Sequence, residues 1–288
     1  MNSNFKKGAG IALGIAAAGA VAKGIERAIW LHNYMKPVDY PVSSIKGTDL
    51  EDKDLKLIAH RGFRAVAPEN TLPAYVKAGE AHFWGAECDI YRTKDGVWVL
   101  HHDPVTYRLT GDLKKPEKCT YDELMQLTYK GGHNIDQYPN LKFTTLDEFY
   151  QMCQKYGMQA IIEIKYDRSA DYMFELPEFA KKYNVPTTYI AFDFINLVNL
   201  RKVTDAPLFY LVYAIKNSDI KKAKTLENCG ISFDGNDKKN LKDNCKLVRK
   251  CREAGLDTAT WAVDDLDIVR QIADTGTKYI TTNGIIYE

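Results

Sequence analysis

Two histidines, three carboxylates and two cations stand out for the chemistry they could share. They fall in four short groups: Ile58-Ala59-His60-Arg61-Gly62, Glu87-Cys88-Asp89, His101-His102-Asp103 and Glu163-Ile164-Lys165. Each group follows or lies within a short apolar run of strand type. Side chains two apart on a strand point to one face. Glu87 then shares a face with Asp89, and Glu163 with Lys165, while Cys88, Ile162 and Ile164 point the other way. Carboxylates gathered on one buried face repel strongly unless a cation lies between them. Glu87, Asp89 and Glu163 therefore offer an all-oxygen site for one hard divalent ion, Ca2+ or Mg2+. Imidazole suits such ions less well, which leaves His60 and His102 for proton transfer, with Arg61 as a cationic clamp. A hard cation, a guanidinium and two acid–base groups together suit cleavage of a phosphate ester. Taken singly, each piece has an ordinary structural account: a hydrogen-bonded histidine, a solvated E-x-D face, a buried Glu163–Lys165 ion pair.

These groups can act together only if the fold brings their strands side by side. Eight strand candidates follow residue 54: Leu55 to Ala59, Ala86 to Tyr91, Gln159 to Lys165, Thr188 to Phe192, Pro207 to Val212, Gly230 to Phe233, Asp257 to Val263 and Lys278 to Thr281. Trp98 to His101 reads as a hairpin partner of the second, because Lys94-Asp95-Gly96 signals a turn. Amphipathic helix patterns lie between most of them. One is capped at Asn70 or Thr71 and runs to about His82. Another opens at Thr145 and closes at Gly157, and two more end before Gly255 and Gly276. Strand–helix alternation repeated eight times predicts an α/β fold, a (β/α)8 TIM barrel. An open doubly wound sheet is the alternative, weakened because no G-x-G-x-x-G follows a strand. In a barrel the ends of successive strands share one mouth, so the four groups would meet there.

The bulk properties agree with a folded enzyme-sized domain. The chain has 288 residues, 45% hydrophobic and 27% charged, enough for a large core. A net charge of +1 gives no electrostatic argument for nucleic acid. Six cysteines without C-x-x-C or zinc-like spacing read as free thiols.

The N-terminus reads differently. Lys6-Lys7 precede Gly8 to Ala22, fifteen residues of Gly, Ala, Ile, Leu and Val alone. Residues 1–31 are therefore expected to be an apolar helical segment acting as a membrane anchor or a signal segment, with Ala20-Val21-Ala22 as a cleavage site. The bland alternative is a Gly/Ala-rich helix packed on the domain. A retained anchor is favoured, since six free cysteines sit poorly in an exported soluble enzyme. The expectation is a membrane-associated protein with its catalytic domain outside the cytoplasm, secretion being the alternative. Residues 32–54, with Pro37, Pro41, Ser43, Ser44 and Gly47, read as a linker, and 55–288 as the barrel.

The ordered motifs resemble one family, the glycerophosphodiester phosphodiesterases. Its pattern H-R-G, P-E-N-T, E-x-D, T-K-D-G, H-D and E-I-K is met by His60-Arg61-Gly62, Pro68-Glu69-Asn70-Thr71, Glu87-Cys88-Asp89, Thr93-Lys94-Asp95-Gly96, His102-Asp103 and Glu163-Ile164-Lys165. The T-L-E-E-like helix start is Thr145-Leu146-Asp147-Glu148, and the late W-T-V-N segment is Trp261-Ala262-Val263-Asp264. The resemblance covers residues 55 to about 285.

That resemblance implies a TIM barrel with a small insertion after the second strand, here about 103–144. It implies metal-dependent hydrolysis of glycerophosphodiesters to glycerol 3-phosphate and an alcohol. Glu87, Asp89 and Glu163 would hold the metal, and His60 and His102 would be the acid–base pair. Arg61 would bind the phosphate, with Lys165 supporting the charge. Trp261, with Phe63 or Phe192, would line the glycerol pocket, although packing explains those aromatics equally well. The sequence departs from the pattern at Ala262, Asp264, Phe192-Asp193 and Asn283, where the family more often has Thr, Asn, Ser-Phe and Asp. These departures are expected to bear on substrate identity more than on catalysis. Two alternatives remain open: a phospholipase D or lysophospholipase D type enzyme on the same fold, taking lysophospholipids, and a non-catalytic membrane-tethered phosphodiester-binding protein.

Overall fold

The computed structural model describes residues 38–165 and 170–288. In chain order the strands are β1 (Ser43–Ser44), β2 (Lys56–Ala59), β3 (Gly85–Arg92), β4 (Trp98–Leu100), β5 (Gln159–Ile164), β6 (Thr187–Ala191), β7 (Leu208–Val212), β8 (Cys229–Asp234), β9 (Thr258–Trp261), β10 (Tyr279–Thr282) and β11 (Ile285–Ile286). Eight of them, β2, β3 and β5 to β10, pair in parallel, and the β2–β3 pairing closes the sheet on itself. Helices follow seven of the eight, β10 running on into β11, so this is the expected TIM-type barrel. β4 turns back antiparallel on the outer half of β3, as the Lys94-Asp95-Gly96 turn predicts.

Strand parity sorts the side chains. Ala86, Cys88 and Ile90 of β3 and Ala160, Ile162 and Ile164 of β5 are buried in the core between barrel and helices. The helix Leu72–Glu80 lays Tyr75 on Phe149 of the helix Leu146–Tyr156 there, rings edge-on at 4.7 Å. The alternate residues, Glu87, Asp89 and Glu163, are left to face the barrel interior. The Leu146–Tyr156 helix starts in a capping box: Thr145 Oγ1 accepts from the Glu148 backbone and Glu148 accepts from the Thr145 backbone. It ends at Gly157 in the left-handed region, as its sequence position requires.

Residues 103–144 carry short helical turns around a second apolar cluster of Tyr91, Val99, Leu109, Cys119, Leu124, Tyr129 and Phe143. The stretch read as a linker packs onto the barrel from Ser43 onward, in a separate two-stranded sheet. β1 pairs with β11, and Ile45 and Leu50 are buried. A Cβ on Gly284 would fall 2.1 Å from the Pro41 carbonyl oxygen, so this contact requires glycine. The chain thus enters at Val38 beside the barrel mouth, while Tyr287 bonds Leu55 and Leu57 at the other end of β2. The apolar segment 1–31 and the first part of the linker lie outside the described residues. Among the described residues no helix is long and apolar enough to cross a membrane. All six cysteines are free.

Candidate active site

β3 and β5 position the acids. Their register sets Asp89 opposite Glu163, and oxygen atoms of Glu87, Asp89 and Glu163 lie within 4.8 Å of one another. Two cations enter the cluster from the sides. Lys165 Nζ lies 2.6 Å from Glu163 Oε1 and 3.0 Å from Asp89 Oδ1. Arg61 Nε lies 3.3 Å from Asp89 Oδ2, and the Arg61 backbone N–H donates to Glu87 Oε2 at 2.8 Å. Asn70 adds a side-chain N–H to Asp89 at 2.8 Å.

The charges do not balance evenly over the three acids. Burial favours the neutral form of Asp89, but Lys165, His102 and Arg61 outweigh it and hold that carboxyl well below the usual range. Burial raises Glu87 well above its usual value, and Asp89 and Glu163 push it further. Glu163 is lifted to about 7 by burial, against the pull of Lys165. Glu87 Oε1 is buried without a hydrogen-bond partner. An all-oxygen donor set short of positive charge, with an unused carboxylate oxygen, fits a hard divalent cation.

Arg61 sits in the left-handed region at φ 58°, a conformation that costs a non-glycine residue of order 1 kcal/mol or more. Its side chain is fixed at the far end by Glu69, 2.8 Å away. Gly62 follows, also at positive φ, where a Cβ would meet Ala74 at 2.7 Å. Glu69 binds Arg64 and Arg108 as well. Although burial opposes ionisation of Glu69, the three arginines keep its carboxyl well below the usual range.

The two histidines have different partners. His102 Nδ1 lies 2.9 Å from Asp103 Oδ1, and Arg108 holds Asp103 from the other side at 2.6 Å. His60 Nδ1 lies 2.7 Å from the amide oxygen of Asn283, and Asn283 donates to Asp264 at 2.6 Å. Burial lowers the basicity of both rings, and Arg61 works in the same direction. The neighbouring His101 is fully buried, bonded to the Val105 carbonyl and packed near Phe143, as a structural residue would be.

Trp261 belongs to an aromatic cluster with Phe192 and Tyr213, ring centroids 5.3 to 5.7 Å apart. All three follow or end a strand at the mouth. Tyr213 is 67% exposed, the other two less so. Phe63 instead packs on Phe83 in the core and is no wall of the site. A separate cavity of about 260 Å3, lined by Trp84, Gln159, Pro207, Asn228 and Asp257, opens at the N-terminal strand ends, away from this chemistry.

Two of the departures from the family pattern, Asp264 and Asn283, stand behind His60: Asn283 bonds the ring and Asp264 bonds Asn283. Several partners had no role assigned from sequence. Nothing in the P-E-N-T run says that Glu69 collects three arginines, and Asn70, a candidate helix cap by position, instead turns its side chain to Asp89 and leaves Thr71 at the N-cap. Arg108 lies five residues past Asp103 with no motif of its own, and the fold brings it to Glu69 as well.

An eight-stranded parallel barrel with an acidic cluster and two histidines at its C-terminal mouth defines the chain as a TIM-barrel protein with a hydrolase-like site. A model of the glycerophosphoryl diester phosphodiesterase family matches residues 60–286, and the chain belongs to that family. Human glycerophosphodiester phosphodiesterase 1 is 32% identical over 128 residues, 43% of this chain and 39% of that protein. The glycerophosphodiester phosphodiesterase of Caldanaerobacter subterraneus is 32% identical over 109 residues, 38% and 44% respectively. The chain thus spans about two fifths of the length of these curated relatives. An Oleispira antarctica phosphodiesterase solved with its product sn-glycerol-3-phosphate superposes with a TM-score of 0.70 at 24% identity, covering 79% of this chain and 92% of that one. The Thermotoga maritima glycerophosphodiester phosphodiesterase does so at 0.64 and 25%, covering 80% and 94%.

Proposed function

We propose that this protein hydrolyses glycerophosphodiesters to glycerol 3-phosphate and an alcohol. The observation that carries the reading is one mouth in which Glu87, Asp89 and Glu163 cluster between Arg61 and Lys165. Two imidazoles, His60 and His102, join them there. Ca2+ or Mg2+ held by the three carboxylates would supply Lewis-acid polarisation of the phosphoryl oxygens. Arg61 binds the phosphate and neutralises charge that grows on it in the transition state. One histidine removes a proton from the attacking oxygen, either water or the adjacent glycerol hydroxyl. The attacking oxygen bonds to phosphorus as the bond from phosphorus to the alcohol oxygen breaks, and the other histidine protonates the leaving alcohol; where the glycerol hydroxyl attacks, the product is a cyclic phosphate that water opens to glycerol 3-phosphate in a second step. Lys165 offsets the anionic cluster, and the Trp261 ring offers an apolar wall to the glycerol or alcohol. Membrane association through residues 1–31, with the barrel outside the cytoplasm, is proposed on the sequence pattern alone.

A lysophospholipase D activity is the second reading, favoured by the exposed Phe192 and Tyr213 rings at the mouth, which suit an apolar tail. The purified full-length chain should be offered glycerophosphocholine, glycerophosphoethanolamine, glycerophosphoglycerol and lysophosphatidylcholine, with Ca2+, Mg2+ or EDTA. Release of glycerol 3-phosphate with a metal, lost in EDTA and in Glu87→Ala, is the expected result. No cleavage with any pairing defeats the enzymatic reading and leaves a binding protein. Cleavage that survives EDTA and Glu87→Ala defeats the metal.

A further inference from the structure

Asp264 and Asn283 are the feature that the reading above leaves unused. Asn283 is 4% exposed, at the end of β10, and Asp264 follows β9. Asp264 collects four donors: Thr282 Oγ1 at 2.7 Å, the Asn283 and Gly284 backbone N–H groups at 2.7 and 3.2 Å, and the Asn283 side-chain N–H at 2.6 Å. All four reach Asp264 as donors, so its oxygens act here as acceptors. The Asn283 NH2 must therefore face Asp264, and its oxygen must face His60, at 2.7 Å from Nδ1. An amide oxygen also only accepts, so His60 carries its proton on Nδ1. In the neutral ring the Nε2 lone pair is then left unprotonated.

The two histidines thereby differ in kind. His102 is backed by the carboxylate of Asp103, which supports an imidazolium. His60 is backed by a neutral amide, which fixes a tautomer without supplying a counter-charge. We propose that Asn283, held in one orientation by Asp264, is a positioning residue that presents His60 as the neutral general base, leaving His102 with Asp103 as the general acid. This deepens the phosphodiesterase reading and rests on it. The two positions are also where the late motifs depart from the family pattern, with carboxylate and amide in exchanged places. The charged groups facing His60 are Arg61 and Arg64 from its own loop and Asp89 from β3, with Asp264 behind the amide.

The test combines spectroscopy with an exchange series. In 15N-histidine spectra of the full-length protein, the His60 resonance, assigned by its loss in His60→Gln, should show a proton on Nδ1 and a bare Nε2. In Asp264→Asn the amide is free to turn over, so the Nδ1–H form should give way to a mixture. At the same time kcat should fall by about 10²-fold or more, with KM within about twofold, since a misplaced tautomer removes the base without removing substrate contacts. The exchanged pair Asp264→Asn/Asn283→Asp restores one carboxylate and one amide. It should recover most of kcat but raise the acidic limb of the kcat/KM profile by about one pH unit, because the counter-charge now touches the ring. A wild-type His60 protonated on Nε2 overturns the proposal. So does an Asp264→Asn protein with wild-type kcat, or an exchanged pair whose acidic limb stays in place. If no diester is turned over, the phosphodiesterase reading fails, while the spectra still decide the tautomer.

Discussion

Arg61 does three things from one strained position, and this makes it hard to replace. Its backbone N–H serves Glu87, its Nε approaches Asp89 and its terminal nitrogen reaches Glu69. Lysine keeps the charge but not the fork, so it cannot reach Glu69 and Asp89 together. Arg61→Lys should lower kcat/KM by about 10²-fold or more and lower the melting temperature as well, because the buried carboxylates of Glu69 and Asp89 lose a partner. Steady-state kinetics and a melting curve on one preparation separate the two. Proton linkage at Glu163 belongs to the same scale. Its folded-state value, about 7, lies above the usual 4.5, so the folded protein binds extra protons between those values. That contribution to stability is present below about pH 4.5 and lost as pH rises through 7. In EDTA the melting temperature should therefore fall between pH 5 and 8. Glu163→Gln should flatten this slope and raise the melting temperature at pH 8 by about 2–4 °C for each kcal/mol recovered. Unchanged slopes in the variant would locate the linkage elsewhere. The acids, the histidines and Arg61 were legible in the sequence, because short motifs carry them at fixed offsets. Arg108's reach to Glu69 and Asn283's place behind His60 were not, since those contacts join segments far apart in the chain, and the nearer Arg61 and Arg64 turn to Glu69 only through the bend at Arg61 and Gly62.

At the scale of elements, the sequence read best where local rules decide the outcome. Strand parity placed Glu87 and Asp89 on one face and Cys88 on the other, and Thr145 and Gly157 marked both ends of a helix. Strand ends moved by a residue or two, as at β9, which stops at Trp261 where Val263 was expected, because pairing partners set those limits. The insertion was visible only as a gap between motifs. Its Leu109–Leu124–Phe143 cluster has no regular period, and its hold on the site runs through Arg108 to Asp103. Leu124→Ala should cost about 2–5 kcal/mol locally. It should also lower kcat more than it raises KM, by loosening the support of His102. Thr145→Ala costs about 1 kcal/mol at a helix start and should leave both constants unchanged. Equal kinetic effects from the two would detach the insertion from the chemistry.

Across the whole molecule the barrel divides stability from chemistry. The polar cluster occupies the C-terminal strand ends, and the apolar packing between barrel and helices meets it where the Tyr75 hydroxyl donates to Asn70. What remained hidden at this scale was the route of residues 43–54. No motif tells that a Pro/Ser/Gly-rich stretch will pair with the last strand, because that pairing joins the two extremes of the sequence. The outcome has a mechanical side. Val38 leaves the barrel next to the mouth, with Tyr40 stacked under Arg64 at 4.6 Å, whereas Tyr287 is fastened at the opposite pole. The two described ends of the chain thus mark opposite poles of the barrel: Tyr40 belongs to the working face through Arg64, and the Tyr287 ring to the back through Leu55 and Leu57.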